Sequence, residues 1–378
     1  MPGNFHEVPA SIIATWPKPN YVDPVRRTWL PALACTLLAV STVLISGRFF
    51  LRIRKQAGAF GYDDALIAIG WLVSIGFSAV ACNNSLNYGI DRHTWDVRLD
   101  QYTGAALGGW IAQVLFLVST CATKCSVLLF YRRMADGTFS KKWRYGIWVA
   151  LGFLGGYFIS TLIVYCLICQ PLSSYWLSYR LDYHEPYTCI DGNVLSPFVG
   201  VLSVITDIYS VVLPCIMLQN YDLDVSRRQK IGLNVVFGLG LLVAGAGIAR
   251  TYYLYEINHT YDTSWAGFDL FAWALVECHL AVICACAPSC RAFIRRYLSE
   301  PFSRSFNSNS SRRVQDTRES YNQLDFGRKS ESPQAPVEMR HMVDNSTLDR
   351  QISEEHSDYP RWQKQGSLDL EKIGRDRV

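Results

Sequence analysis

Charged side chains interrupt three long apolar stretches of this sequence, and they are its first candidates for chemistry. The eighteen residues from Gly232 to Ala249 carry no charge, and Arg250 follows them directly. Asp207 and Glu277 each lie about midway through another apolar stretch. Charges in such surroundings usually face inward and pair, because contact with hydrocarbon is costly. The three side chains are therefore suited to binding a polar ligand, to a proton or substrate path, or to clamping the fold.

The position of Arg250 leaves two interpretations open. In a helix that begins near Gly232, Arg250 lies ~27 Å along the axis, far from the end at which the helix enters the membrane. The side chain then either snorkels to the interface or faces the interior and meets an acid. We favour the inward orientation, in which Arg250 acts as a structural clamp or as a ligand anchor.

The last apolar stretch holds a second group of polar and aromatic side chains. Asp269, Trp273 and Glu277 follow one another at intervals of four residues, which places them on one face of a helix. That face carries an acid at each end and an indole between them. Together with Asp207 and Arg250, these residues make up the predicted ligand site.

A separate charged group is expected near the opposite membrane surface. Lys124 lies in the last third of its apolar stretch, and Asp63 and Asp64 open another stretch at the same level. An ion pair between Lys124 and these acids would tie two helices together in a structural role. The alternative is that Lys124 snorkels to the nearby interface.

Two of the twelve cysteines are placed to form a disulfide. Most of the twelve lie inside apolar stretches, where Cys behaves as a small apolar side chain. Cys169 and Cys189 instead flank one polar loop, and a bridge between them requires an oxidising compartment. Cys82 is a competing partner.

Metal binding and catalysis have weak support in the sequence. His93, His184 and His259 occupy separate loops, and no pair has the spacing of metal ligands. The sequence contains no Gly-rich phosphate loop with a lysine and no nucleophile motif. We therefore predict no metal, no cofactor and no enzymatic activity. Nucleic-acid binding is not expected either, because the basic residues are dispersed along the edges of the apolar stretches.

These side chains belong to a chain built mainly of long apolar stretches. Seven of them reach the ~20 residues that cross ~30 Å of hydrocarbon. The stretches are Thr28–Leu51, Asp63–Asn83, Tyr102–Phe130, Tyr145–Ile168, Pro197–Gln219, Gly232–Tyr255 and Gly267–Cys290. Only helices and closed barrels satisfy their backbone polar groups in lipid, and barrel strands are shorter and alternate in polarity. The sequence therefore predicts an all-α membrane protein, a bundle of seven transmembrane helices in contact with the lipid bilayer.

Lysine and arginine are distributed unevenly over the connections between the seven stretches. The connections after helices one, three and five and the start of the tail are basic, whereas the other three connections hold few bases. The bases on the richer side are Arg48, Arg52, Arg54, Lys55, Arg132, Arg133, Lys141, Lys142, Arg144, Arg227, Arg228, Lys230, Arg291, Arg295 and Arg296. Because cytoplasmic loops carry the excess of bases, we expect the N-terminus outside and the C-terminus in the cytosol. The membrane is the plasma membrane or an endomembrane.

Three segments follow from this topology. Residues 1–27 form a short external segment in which we expect no cleaved signal peptide, residues 28–296 form the transmembrane domain, and residues 297–378 form a cytosolic tail. Residues 291–378 hold 30 of the 68 charged side chains of the chain, and such a polar composition predicts disorder. Sequons at Asn83 and Asn258 lie on the predicted outer side, where they can be glycosylated.

Several phrases of the sequence, taken in order, resemble a known family. They are "GYDD" before helix two, "NYGIDRHTWD" after it, "KCSVLLFYRRM" at the end of helix three, "CQPLSSYW" with a later Cys189, Asp207 and Pro214 in helix five, Arg250 in helix six, "YDTSW", and "WALVECHLAVICACAPSCR" in helix seven. Together they resemble the fungal rhodopsin-like seven-helix family of filamentous ascomycetes, which includes a membrane protein of the satratoxin cluster. The resemblance covers about Thr28 to Arg296.

The resemblance implies a multi-pass membrane protein with a receptor-like or pathway-associated role. It does not imply retinal, because a retinal protein needs a lysine in helix seven for its Schiff base and Gly267–Cys290 contains none. Helix three ends in "FYRRM" without the acid that precedes the arginine in the common receptor motif. Coupling to a G protein therefore depends on the basic inner loops alone.

Three classes of function are compatible with these features. A receptor would bind a small ligand at Arg250 and its neighbouring acids, and its basic inner loops would contact a cytosolic signalling protein. A transporter, such as an exporter of a fungal metabolite, would use the buried charges as a path, although no internal repeat is evident. A third class is an accessory protein of a biosynthetic pathway. We favour the receptor-like sensor, associated with secondary metabolism, over the other two.

Overall fold

The computed structural model describes residues 8–54, 60–135, 141–180, 182–219 and 227–293. Seven long helices account for most of these residues. They are α1 (Leu30–Ile53), α2 (Tyr62–Asn87), α3 (Leu99–Ala135), α4 (Lys141–Cys166), α5 (Gly192–Gln219), α6 (Arg227–His259) and α7 (Thr263–Phe293). Each coincides with one predicted stretch, so the all-α class and the seven-helix prediction are confirmed.

All seven helices are long and apolar enough to span a membrane. Large apolar side chains also cover their outer faces, for example Val43 on α1, Leu72 on α2, Ile159 on α4 and Leu242 on α6. Water would not tolerate so extensive an apolar surface, whereas lipid requires it. The protein is therefore a multi-pass membrane protein.

The seven helices run alternately between two ends of one bundle. At the "disulfide end", the loop after α4 carries two short antiparallel strands, β1 (Cys169–Gln170) and β2 (Thr188–Cys189). At the "arginine end", α1 finishes with Arg48 and Arg52 and α2 begins. More than half of the apolar cores of α3 and α7 is buried, against a third or less in the other five helices. These two central helices therefore carry the side chains that meet inside the bundle.

Aromatic side chains fill the interior between α2, α3 and α7. Phe77 packs edge-on against Phe116, with 5.9 Å between ring centroids, and lies 6.4 Å from Phe271. Leu275 and Phe268 of α7 belong to the same buried cluster. The cluster holds the central helices together on the side of the disulfide end, next to the polar groups of the interior.

Short elements cover the disulfide end. The disulfide Cys169–Cys189 joins β1 to β2, and a one-turn helix, Ser174–Leu177, lies between the two strands in the chain. The backbone N–H of Arg27 donates to the Asp91 carbonyl at 2.8 Å, and the Thr94 N–H donates to the Asp262 carboxylate at 2.9 Å. The segment before α1 and the loop after α2 are thus fastened over the start of α7.

Candidate functional site

Arg250 and Glu277 form a buried ion pair between α6 and α7. The Arg250 Nε donates to Glu277 Oε2 at 2.7 Å, and both side chains are buried. The Phe116 ring of α3 covers the guanidinium, with 4.5 Å between the Arg250 Cζ and the ring centroid. The structure thus places Arg250 inward, against an acid and an aromatic face, and not at the interface.

Lys124 of α3 pairs with Asp207 of α5. The Lys124 Nζ lies 2.9 Å from Asp207 Oδ1 and donates to the Thr206 Oγ1 at 2.8 Å. The predicted ion pair between Lys124 and Asp63 or Asp64 is therefore wrong. Depth along the membrane can be read from the sequence, but the rotation of α3 about its axis turns Lys124 towards α5 instead of α2.

The two ion pairs meet beside Gly247 of α6. A Cβ at Gly247 would lie 3.3 Å from Asp207 Oδ2 and 3.4 Å from Glu277 Oε2, so both carboxylates approach the same point. We call Lys124, Asp207, Arg250 and Glu277 the "charge quartet", and its formal net charge is zero. Three of its atoms have no hydrogen-bond partner among the described residues, namely Asp207 Oδ2, Arg250 Nη2 and Glu277 Oε1. Because unmade hydrogen bonds of buried groups are costly, the quartet is suited to receive another polar group.

A cavity of about 200 Å³ lies between the charge quartet and the disulfide end. Its walls come from α2 and the loop after it, from α3, α4, α6 and α7, and from the loop between β1 and β2, and we call it the "disulfide-end cavity". Aromatic residues make up a third of the described lining, namely Phe77, Tyr102, Phe116, Tyr165, Tyr175, Tyr179 and Phe271. Arg250 alone among the described lining residues carries a formal charge. The cavity is thus a mainly apolar pocket with one charged group.

Two lining residues, Gly109 and Tyr175, show how much space the cavity offers and how polar its wall is. Gly109 stands at the centre of the α3 face that lines it, and a Cβ at Gly109 would meet nothing within 4 Å. Tyr175 comes from the one-turn helix of the disulfide end. Burial raises the pKa of the Tyr175 phenol, and a hydrogen bond with Gln113 partly opposes this rise. The phenol therefore stays neutral near pH 7.

A smaller cavity, of about 50 Å³, lies on the other side of the charge quartet. Lys124 and Asp207 line it, together with Phe130, Tyr131 and Ala285. We call it the "arginine-end cavity". The two cavities share no described lining residue, because the charge quartet and the helices around it separate them.

The structure separates the three residues that were expected on one face of α7. Asp269 pairs with Arg27 near the disulfide end, with 2.8 Å between Arg27 Nη1 and Asp269 Oδ2. Trp273 is 38 % exposed on the outside of the bundle, whereas Glu277 is fully buried. On a helix of 3.6 residues per turn, each step of four residues rotates the side-chain direction by ~40°. Asp269 and Glu277 are two such steps apart, so they point in different directions and lie in different environments. Asp269 and Trp273 are also absent from the described lining of both cavities.

A second cluster of buried charges, which the sequence analysis missed, occupies the arginine end. Arg48 Nη2 and Arg52 Nη2 lie 2.8 and 2.9 Å from Asp63 Oδ2. Arg48 Nε donates to Asp64 Oδ1 at 3.0 Å, and Arg52 Nε lies 3.2 Å from Asp64 Oδ2. We call these four residues the "arginine clamp". Two bases thus contact two acids in all four combinations, which joins α1 to α2.

Further contacts extend the arginine clamp to α3 and α7. Arg48 Nη1 donates to the Ala285 carbonyl at 2.6 Å, and the Ser126 hydroxyl donates to the Asp63 carbonyl at 2.6 Å. The partly exposed Arg133 lies 3.6 Å from Asp63 Oδ1. The spacing of Arg48 and Arg52, four residues apart, was the available signal, but both were counted as loop residues. They belong to α1 and are buried.

His279 forms a polar contact that the sequence analysis also missed. Its Nδ1 lies 3.1 Å from the Ser41 hydroxyl and its Nε2 lies 2.9 Å from the Ser78 hydroxyl. All three side chains are buried. His279 therefore joins α7 to α1 and α2.

The remaining predicted sites differ in their surroundings. Cys169 and Cys189 are joined, whereas Cys82 is a free cysteine. Asn83 is exposed on the last turns of α2. Asn258 is 7 % exposed, and its amide nitrogen donates to the Leu254 carbonyl at 2.7 Å. A glycan on Asn258 is incompatible with this packing, while glycosylation of Asn83 stays a prediction.

The basic connections of the arginine end are described only in part. Arg132 stacks on the Trp148 ring, with 4.5 Å between its Cζ and the ring centroid. The side chains of Lys141, Lys142, Arg227, Arg228 and Lys230 and the predicted tail, 297–378, lie outside the described part of the structure. Within that part, no group of three His, Cys, Asp or Glu side chains has the arrangement of a metal site.

Comparisons with known proteins agree with this architecture. A family model described as the fungal rhodopsin domain matches residues 47–296. The matched segment begins in α1, includes all the residues of the charge quartet and the arginine clamp, and ends just beyond α7. No solved structure shows a significant match.

The names of three curated relatives refer either to a receptor or to a biosynthesis cluster. Receptor GIN3 of Arthrobotrys oligospora is 24% identical over 270 residues, which cover 70% of this chain and 62% of the relative. Satratoxin biosynthesis SC1 cluster protein 4 of Stachybotrys chartarum is 24% identical over 180 residues, 48% of this chain and 62% of the relative. Wortmanamides biosynthesis cluster protein C of Talaromyces wortmannii is 24% identical over 260 residues, 67% of each. The chain thus spans about three fifths of the length of the first two relatives.

Proposed function

Because the chain belongs to the fungal rhodopsin family, as its motifs predicted, we propose that it is a receptor-like sensor of a small ligand. The ligand binds in the disulfide-end cavity. The observation that carries the proposal is Arg250 in the lining of this cavity, because its ion pair with Glu277 stands next to the Lys124–Asp207 pair. A ligand that contacts Arg250 acts directly on a buried charge network that continues towards the arginine end.

The proposed signal passes through the charge quartet. A group that binds Arg250 alters the position or the charge of Glu277, and Glu277 shares the space beside Gly247 with Asp207. Asp207 and Lys124 in turn line the arginine-end cavity. Helices α3, α5, α6 and α7 each contribute one member of the quartet, so a change in its pairing biases the packing of all four. Coupling between two sites requires an element with two alternative arrangements, and we assign that role to the quartet.

The proposed orientation places the disulfide end outside and the arginine end in the cytosol. A disulfide persists in an oxidising compartment, and bases collect at the cytoplasmic surface. The cytosolic partner is then a signalling protein that contacts the basic connections after α3 and α5. Two relatives are named after biosynthetic clusters, so the ligand that we propose is a small metabolite of such a pathway. Catalysis has no part in this proposal.

Filling the disulfide-end cavity tests the receptor proposal. We expect Gly109→Phe to occupy the cavity from the centre of the α3 face and to abolish ligand-dependent signalling. Gly245→Phe is the matched control, because Gly245 is exposed on the outer face of α6 and a Cβ there meets nothing within 4 Å. Proximity labelling from the C-terminus in a filamentous fungus measures the result, as enrichment of a heterotrimeric G-protein subunit.

Three outcomes of that labelling experiment are informative. Enrichment in the wild type and in Gly245→Phe, with loss in Gly109→Phe and in a variant with Arg132, Arg133, Lys141 and Lys142 changed to Gln, supports the receptor. Equal enrichment in Gly109→Phe contradicts a role of the cavity. Enrichment of biosynthetic enzymes or transport machinery, without a signalling protein, rejects the receptor in favour of the alternatives.

A transporter is the alternative that one observation favours. Two cavities lie on opposite sides of the charge quartet, which is an arrangement suited to a gated path. Export of a metabolite from loaded vesicles, abolished by Glu277→Gln and retained in Gly245→Phe, would support it. The receptor proposal instead predicts no net flux through the wild-type protein.

A further inference from the structure

We infer that the disulfide-end cavity is selective for an uncharged ligand that carries a carbonyl group, such as a ketone, ester, lactone or amide, on an apolar body. The inference rests on the proposed function, whose ligand site it specifies. The recognising group is the guanidinium of Arg250, the one formally charged group in the described lining of the cavity, whose buried Nη2 has no hydrogen-bond partner among the described residues. The Arg250 side chain is only 7 % exposed, and the residue lines the cavity.

The charge count of the site argues against an anionic ligand. Arg250 is already neutralised by Glu277 at 2.7 Å, and Lys124 is neutralised by Asp207 at 2.9 Å. A carboxylate or phosphate would therefore add an uncompensated negative charge to a buried, neutral cluster. Burying such a charge is far more costly than burying a neutral acceptor. A cationic ligand would meet the guanidinium as a like charge.

The geometry of Arg250 selects an acceptor over a donor. Phe116 covers one face of the guanidinium, so a ligand approaches the N–H groups in the plane of the fork. Arginine has N–H donors and no acceptor. Glu277, whose free oxygen could accept a bond, is absent from the described lining of the cavity. A ligand that contacts the guanidinium must therefore offer an oxygen with free lone pairs, and a carbonyl oxygen has two.

The other lining residues determine the size and polarity of the part of the ligand that does not contact Arg250. The walls are aromatic or aliphatic for the most part, so an apolar body fits them. A cavity of about 200 Å³ is somewhat larger than the ~150 Å³ cavity that holds a benzene ring. One substituted ring with its carbonyl group therefore fits. The ring packs among the aromatic side chains while the carbonyl faces Arg250.

Three fluorinated probes of nearly equal size test this selectivity. They are 4-fluoroacetophenone (neutral with a carbonyl), 1-ethyl-4-fluorobenzene (neutral without an acceptor) and 4-fluorobenzoate (anionic). Binding to the full chain in lipid nanodiscs is measured by ¹⁹F NMR line broadening, with empty nanodiscs as the reference for partition into lipid. We expect 4-fluoroacetophenone to bind ~10-fold or more tightly than either of the other two, because a hydrogen bond from a charged donor discriminates by at least that factor.

Two variants assign the selectivity to Arg250. The double variant R250M/E277M removes both charges without leaving one of them unpaired, and we expect it to bind the ketone and the ethyl compound equally. G109F should lose both probes, whereas G245F should bind like the wild type. These variants connect the preference to the guanidinium and the binding to the cavity.

Three binding results would contradict the inferred ligand class. Tightest binding of 4-fluorobenzoate would show an anion site, and equal binding of all three probes to the wild type would show that Arg250 selects nothing. Binding of no probe would also overturn the inference, since each is small enough for the cavity. If the ketone is preferred but G109F still signals in the labelling experiment, the ligand class stands and the receptor function fails.

Discussion

The charge quartet and the arginine clamp are both buried clusters of two bases and two acids, but they are built differently. In the arginine clamp each guanidinium contacts both carboxylates, and two of its partners are adjacent in the chain. In the charge quartet each base contacts one acid, and three atoms have no partner among the described residues. A cavity adjoins the quartet on each side. The comparison indicates that the clamp holds the fold and that the quartet is available to respond to a ligand.

Removing the acids of the arginine clamp should have the largest effect. D63N/D64N leaves Arg48 and Arg52 buried without a negative partner, and breaking a buried pair in this way costs ~3–5 kcal/mol. We expect loss of monodisperse protein in detergent, measured by size-exclusion chromatography and thermal unfolding. R133Q is the control, because a partly exposed contact contributes no more than ~1 kcal/mol. A stable D63N/D64N variant would contradict the structural role of the clamp.

The quartet should tolerate loss of a whole pair better than loss of one partner. E277L leaves Arg250 unpaired and should destabilise the protein by ~3 kcal/mol or more. R250M/E277L removes both charges, and apolar replacement of a buried pair is often neutral. We therefore expect the melting temperature of the double variant to return most of the way to that of the wild type. A double variant as unstable as E277L would show that Arg250 has another essential partner.

Seven helices and a charged interior could be anticipated because apolar length and charge depth are properties of the sequence itself. The meeting of Arg250 with a deep acid follows from the same reasoning, since two acids lie at compatible depths. Which of the two acids, Asp207 or Glu277, pairs with Arg250 depends on how each helix is rotated about its axis. The partner of Lys124 depends on the same rotation, which hydropathy does not determine. The burial of Arg48 and Arg52 and their pairing with Asp63 and Asp64 were not predicted, for a related reason. Their position near a helix end is typical of exposed bases, and only the packing of α1 on α2 buries them.

Space at Gly247 offers a milder way to disturb the quartet. Gly247→Val would press on Asp207 and Glu277 together, and overpacking of this kind costs ~1–3 kcal/mol. Gly245→Val, two residues away on the same helix, meets nothing within 4 Å and should leave stability unchanged. Thermal unfolding of both variants in the same detergent measures the difference. Equal melting temperatures would indicate that the two carboxylates do not depend on the small residue.

The smallest effect is expected at His279. In H279L the Ser41 and Ser78 hydroxyls can still donate to carbonyls of their own helices, at Leu38 and Ser74. No buried donor is therefore left without a partner, and we expect a loss of only ~1 kcal/mol. Thermal unfolding of H279L beside D63N/D64N measures how far the two buried polar groups differ. A loss as large as that of the clamp variant would place His279 among the essential supports of the bundle.

The most direct test of the account is the affinity of 4-fluoroacetophenone in a variant that disturbs the quartet without touching the disulfide-end cavity. K124Q/D207N neutralises the pair that lines the arginine-end cavity, and neither residue is in the described lining of the disulfide-end cavity. Coupling between two sites is typically worth ~1–3 kcal/mol, so we predict a change in Kd of ~5-fold or more by ¹⁹F NMR. R133Q, at the edge of the arginine clamp, should leave the Kd unchanged. An unchanged Kd in K124Q/D207N, or an equal change in R133Q, would contradict the claim that the quartet couples the two cavities.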